Sequence, residues 1–233
     1  VLYEAVKFQE NLTALLNCSI FDAEMNGKKI STVTGWQTTS YTFHRVTAEI
    51  FIDCSGDSIL ASLSGAEYRR GREAKSEFCE EAAPDSPDSF TMGNSCLIQA
   101  RETPSPIKYI PPEWARKIES DEQIKNRPHA PTDYRGNNFW WLELGGTEDT
   151  ISDSEKIRDD LLALSFGTWD HIKNHGEHNA ENWELDFLGF LPGKRESRRY
   201  VGDHILTQNE VQAGGKFKDI IAYGGWSIDN HPP

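Results

Sequence analysis

Residues 50–57 read Ile50-Phe51-Ile52-Asp53-Cys54-Ser55-Gly56-Asp57, and Ser58 to Ser64 after them have the composition of a short helix. An apolar triplet running into small residues is the profile of a strand buried on both faces, of the kind found in parallel sheets, that ends in a tight turn. Upstream the pattern changes to alternation. Ser19 to Met25 and Lys29 to Trp36 are expected strands, joined by the hairpin signal Asn26-Gly27, and Tyr41 to Val46 is a third. Leu2 to Glu10 has helical spacing, and Thr13 to Leu16 reads as a short apolar strand. Residues 1–75 are therefore expected to form one unit: a helix, an antiparallel meander, then a parallel-type strand entering a helix.

Residues 76–233 have a different grammar. Glu80 to Ser89, with Pro84 and Pro87, is a loop, and Thr91 to Arg101 is an expected strand with Leu97 and Ile98 buried. A short helix is expected to open at Pro112, and Asp121 to Asn137 is polar and broken by proline. Asn138 to Leu144 reads as a strand carrying Phe139, Trp140 and Trp141. Ser152 or Asp153 is placed to cap a long helix with the stripe Ile157, Leu161, Leu164 and Ile172, ending near His175. Trp183 to Leu191 and Val201 to Leu206 read as strands, Asn209 to Ala213 as a short helix, and the chain from Gly224 to Pro233 as a loop. The fold class is α+β or α/β, with a second, antiparallel domain at 76–233.

Composition narrows the function. The 233 residues carry a net charge of −13, which argues against nucleic acid, because proteins that bind the phosphate backbone concentrate positive charge. No apolar run approaches the length of a membrane span. The bases are clustered: Arg69, Arg70, Arg72 and Lys75 form one group, and Lys194, Arg195, Arg198 and Arg199 another. Both are candidate anion sites. Of the four cysteines, Cys18 and Cys54 are expected in strand cores, and Cys79 and Cys96 are a candidate pair if the protein is exported.

The stretches Phe51 to Ala61, Ser64 to Glu73, Pro192-Gly193-Lys194-Arg195-Glu196-Ser197-Arg198-Arg199 and Gly224 to Pro233 resemble the FAD-dependent oxidoreductase family that includes heterodisulfide-reductase-like flavoproteins. The resemblance implies the back half of a glutathione-reductase-type FAD domain, antiparallel meander plus parallel strand, beside an antiparallel substrate or cap domain. It implies FAD contacts at the backbone of Ile20 and at Ser55 and Gly56, whose small side chains let the cofactor approach the chain. Asp57 is a further candidate, for a cofactor hydroxyl or for the helix end. No Gly-x-Gly-x-x-Gly occurs. The phosphate-binding turn is therefore expected before Val1 and a closing strand after Pro233. On that reading the chain is a fragment, inactive alone, whose FAD binds in the full-length protein.

Arg195, Arg198 and Arg199 follow a glycine turn, and an arginine fork binds carboxylate or phosphate in bidentate fashion. Given the resemblance, Arg198 is assigned a catalytic role and Arg195 and Arg199 a substrate-binding one. The plainer alternative is a set of ion pairs with Glu196 and Asp203. His231, held between Asn230 and two prolines, is a candidate proton donor. His171, His175 and His178 have helix-like spacing, but no carboxylate stands at a zincin spacing, so a solvated helix end is expected and no metal assigned.

The function expected is hydride transfer between a small organic substrate and a flavin, with oligomeric state left open. The alternative is a carbohydrate-binding or other ligand-binding module built on exposed aromatics, with Trp140 or Trp141 as a stacking platform.

Overall fold

The computed structural model describes residues 1–124, 139–222 and 224, with backbone alone at 139–141. In chain order the elements are α1 (Leu2–Lys7), β1 (Cys18–Asn26), β2 (Lys29–Gln37), β3 (Thr42–Thr47), α2 (Ile59–Ser64), β4 (Tyr68–Arg69), α3 (Lys75–Phe78), β5 (Asn94–Glu102), β6 (Phe139–Leu144), α4 (Ser154–Asn174), β7 (Trp183–Leu188), β8 (Arg199–Tyr200) and α5 (Gln208–Gln212). They fall into two units, Val1–Arg69 with Arg198–His204, and Arg70–Ser197 with Ile205–Pro233.

In the first unit β1, β2 and β3 form the expected antiparallel meander. Asn26 pairs with Lys29 across a two-residue loop, Gly27-Lys28, in which Gly27 takes φ 62°, a conformation glycine adopts without steric cost. Gly35 at the centre of β2 faces Cys18 and Ile20, and a Cβ there would come within 2.8 Å of the Cys18 sulfur. Helix α2 packs on β1. The chain returns as β8 to pair with β4, Tyr68 against Tyr200 and Arg69 against Arg199.

Four expectations fail in this unit. Residues 13–16 form no strand; Leu15 and Leu16 are exposed. Residues 49–53 form no ladder among the described residues, and Ile50 and Ile52 are 77% and 83% exposed. Apolar character favours burial, but a strand forms only where a neighbouring strand accepts its hydrogen bonds. Cys54, expected in a core, is exposed for the same reason. Val201 to Leu206 is not a strand, because the pairing with β4 takes up Arg199 and Tyr200 instead.

The second unit holds an antiparallel sheet of order β6-β5-β7, with α4 packed on it. Strand β5 buries alternate residues, Asn94, Cys96, Ile98 and Ala100, as a strand with one face in a core must. Against that face α4 lays Ile157, Leu161, Leu164, Trp169 and Ile172, all at or below 2% exposure. Ile98 is buried as expected; Leu97 points the other way and is half-buried. The helix expected at Pro112 is a single turn, with Ala115 N–H bonded to the Pro112 carbonyl. Tertiary packing overrides it: Arg116 N–H reaches the Ala163 carbonyl of α4, and Gly167 lies so close that a Cβ would meet the Arg116 carbonyl at 2.0 Å. Cys79 and Cys96 are free, one exposed and one buried, because Cys96 donates inward to the Gly189 carbonyl.

Candidate functional site

The quoted loop builds the best-organised polar site of the first unit. Gly56 (φ 80°) and Ser58 (φ 49°) both take left-handed backbone, so residues 53–58 curl back over the start of α2. Asp53 is the centre of the curl. Its Oδ1 accepts the Ser55 N–H at 2.9 Å, and its Oδ2 accepts the Leu60 N–H at 2.9 Å and the Tyr200 hydroxyl at 2.6 Å. The Ser55 hydroxyl oxygen accepts the Ile59 N–H at 3.2 Å. Two of the amides left without intrahelical partners at the start of α2 are thus met by Asp53 and Ser55 rather than by the residue at the cap position, Ser58. Ser58 instead donates its hydroxyl to the Arg198 carbonyl, and Arg198 Nε donates to the Asp57 carbonyl at 2.8 Å. The Arg198 guanidinium lies 5.5 Å from the Tyr68 ring centre, within cation–π range.

These bonds set the charge states. Burial alone would raise the Asp53 pKa, but donation from Tyr200, Ser55 and Leu60 outweighs it and holds the carboxyl at about 2. Burial, the bond to Asp53 and the Asp53 charge together push the Tyr200 phenol up to about 12. The pair is a locked carboxylate–phenol contact.

Beside it opens a cavity of about 1010 Å³, at the upper end for a small-molecule site. Its lining includes the apolar side chains Ile50, Phe51, Ile52 and Leu60, Lys28 and Lys29 from the hairpin, and Asp53 with Tyr200. Gly27, Ser64, Gly65 and Ala66 line it with small side chains. The lining carries two carboxylates, Glu49 and Asp53, as well as the two lysines. An apolar surface suits an adenine ring, the ammonium groups a diphosphate and the carboxylates the sugar hydroxyls, so the residues present fit the adenosine-diphosphate half of an FAD.

The residues expected from sequence are distributed as follows. Ile20 is half-buried on β1. Ser55 and Gly56 are exposed and outside the cavity lining, and the Ser55 N–H already serves Asp53. Asp57 is joined to Arg198 through its carbonyl. Arg198 and Arg199 belong to the first unit, whereas Arg195 belongs to the second, where it forms an ion pair with Glu143. The earlier basic group is neutralised as well, since Arg70 pairs with Asp149 and Arg72 with Asp88. Three of these cations, Arg70, Arg72 and Arg195, thus have an acid brought to them by the fold, while Arg198 is engaged by a backbone carbonyl. His231, the Gly224–Pro233 loop beyond Gly224, and the Trp140 and Trp141 side chains lie outside the described residues.

The histidine trio corrects another expectation. His171 is fully buried and His178 half-buried, so α4 does not end in a solvated histidine face. Among the described residues, Asp121, His171 and His178 are the group whose ligand atoms converge.

A family model described as FAD dependent oxidoreductase matches residues 1–233. The chain belongs to that family. Membership supports an oxidoreductase function and FAD as the cofactor in general terms. Comparison with curated proteins and with solved structures found no match. Among the described residues, no helix of this family member is long and apolar enough to cross a membrane.

Sequence reasoning missed Asp53, Tyr200 and the two lysines. Asp53 was legible as an acid beside a Ser-Gly turn, but it looked like the end of a strand. Its partner Tyr200 is 147 positions away, a separation no local pattern spans.

Proposed function

We propose that this family member supplies part of the FAD-binding surface of an oxidoreductase that passes a hydride between a small organic substrate and the flavin. The observation that carries the reading is the cavity between the hairpin and the 50–53 segment, whose lining includes apolar side chains and two lysines. When bound, FAD supplies the two-electron chemistry, taking up or giving back a hydride at its isoalloxazine ring. Lys28 and Lys29 hold the diphosphate as point charges. Asp53 keeps its charge, and with Tyr200 it fixes the loop against which the ribose lies. Ile20, Ser55, Gly56 and Asp57 are proposed cofactor contacts; the left-handed turns at Gly56 and Ser58 support this, because they leave Ser55 and Gly56 uncovered. Arg198 clamps the Asp57 carbonyl and is the proposed orienting group for a substrate anion. Arg195 and Arg199 are proposed substrate contacts and His231 a proposed proton donor.

In the full-length protein, Lys28→Ala combined with Lys29→Ala is expected to weaken FAD binding by on the order of 10-fold or more, with the fold unchanged by circular dichroism. Retention of flavin at wild-type affinity in that variant would remove the cavity from consideration. The carbohydrate alternative gains no support from the meander. There Trp36, Tyr41 and Phe43 do cluster, but their rings are tilted 50–57° to one another and offer no flat platform.

A further inference from the structure

We propose that Asp121, His171 and His178 form a binding site for a divalent transition ion of the zinc class. Its three ligands lie wholly in the second unit.

His171 stands on the last turn of α4. Its Nδ1 is 3.1 Å from the Ile118 carbonyl oxygen, which can only accept, so Nδ1 carries the hydrogen and Nε2 carries the lone pair in the neutral ring. A backbone carbonyl behind the far nitrogen is also the usual support of a metal-binding histidine. Nε2 points at two further ligand-type atoms: Asp121 Oδ1 at 2.8 Å and His178 Nε2 at 3.1 Å. The third edge of the triangle, His178 Nε2 to Asp121 Oδ1, is 3.4 Å.

A cation at the centre satisfies all three atoms together. Zinc with N and O ligands at about 2.0–2.2 Å in a tetrahedron separates those ligands by about 3.3–3.6 Å. One observed edge, 3.4 Å, has that length; the other two, 2.8 and 3.1 Å, are shorter, so the ligands spread by a few tenths of an ångström to admit the ion.

The three ligands are positioned by local devices. Asp121 opens a 3-10 turn fixed by a capping box between Ser120 and Gln123. His178 folds back onto the helix end because residue 176 is glycine at φ 93°, where a Cβ would come within 2.8 Å of His178 Nε2. The Asp121 side chain is 64% exposed and the His171 side chain 1%, so the site has a buried floor and an outer side where water can complete the coordination. Bound there, the ion ties the 118–123 segment to the end of α4.

The test uses the full-length protein, stripped with chelator and titrated with zinc(II) by calorimetry and with cobalt(II) by absorbance. One ion per chain is expected, with tetrahedral-type cobalt bands, no thiolate charge-transfer band, and a higher melting temperature for the zinc form. His178→Gln and Asp121→Asn avoid the buried His171, and each should weaken zinc binding by on the order of 100-fold and abolish the zinc-dependent rise in melting temperature. Absence of stoichiometric binding would overturn the proposal. So would wild-type affinity in both variants, or a cobalt spectrum with thiolate bands, which would place the ion at a cysteine.

Discussion

Asp53 shows how one residue can hold a loop, a helix end and a distant strand. It accepts from Ser55, Leu60 and Tyr200, so its removal leaves two backbone amides and a phenol without an acceptor. Asp53→Ala is expected to destabilise the first unit by about 1–2 kcal/mol, the usual cost of losing a helix cap, read from urea unfolding. The pH dependence has a defined sign. The folded-state carboxyl titrates at about 2, below its ordinary 3.8, so its contribution is present above pH 3.8 and is lost as pH falls through 2. Tyr200→Phe takes away one donor, so the carboxyl midpoint should move up towards 3.8. Carbon-detected NMR of the Asp53 carboxyl reads this directly, and an unmoved midpoint would mean that the phenol contributes nothing. Tyr200 has the opposite dependence: raised from 10.0 to about 12, it contributes below pH 10 and loses that contribution as pH rises through 12.

At the scale of elements, close approach governs the second unit. Gly167 lets the 112–118 segment lie directly on α4, and the Arg116 N–H bonds into the helix beside it. In an isolated helix Gly→Ala would be stabilising. Here the added methyl meets a backbone carbonyl, which cannot yield as a side chain can. Gly167→Ala is therefore expected to destabilise by about 1–3 kcal/mol, a reversal of the helix-propensity trend measurable by thermal unfolding. Gly71→Ala should be as costly for another reason. Its φ is 76°, and a Cβ would meet the Asp88 carbonyl at 2.1 Å, opening the Arg72–Asp88 bridge. These elements were unevenly legible. The meander, α2, β5, α4 and β7 followed from alternation and from a stripe at helical spacing. The strand at 49–53 and the helix at Pro112 did not form, because sheet pairing and burial depend on neighbours that a local window does not contain.

At the scale of the molecule, the apolar core of the described residues is concentrated in one unit. The cluster of Ile98, Leu142, Ile157, Leu161, Leu164, Trp169 and Ile172 lies in the second, whereas the first buries Val33, Leu60 and Ala61 as its main apolar side chains. Stability should be distributed accordingly. Amide hydrogen exchange is expected to be slowest in α4 and β5, faster in the meander, and fastest through residues 2–16, where every side chain is exposed. Exchange from α4 as fast as from α1 would contradict this distribution. The apolar core was readable in part: the α4 stripe Ile157, Leu161, Leu164 and Ile172 followed from helical period and Ile98 was expected inside, whereas Leu142 and Trp169 gave no local signal.

The sequence by itself determined the local grammar: a hairpin closed at Asn26-Gly27, a long amphipathic helix at 154–174, and the motif-bearing stretches by which the oxidoreductase family was anticipated. These depend on backbone preference and on side-chain period, which act over a few residues. Only the tertiary structure decided which charges are engaged and which polar atoms meet. Arg195 goes to Glu143, Tyr200 to Asp53, and two histidines to an aspartate 50 residues upstream of the nearer one. Electrostatic pairing operates over a few ångströms of space, and chain order carries no measure of that distance until the fold exists.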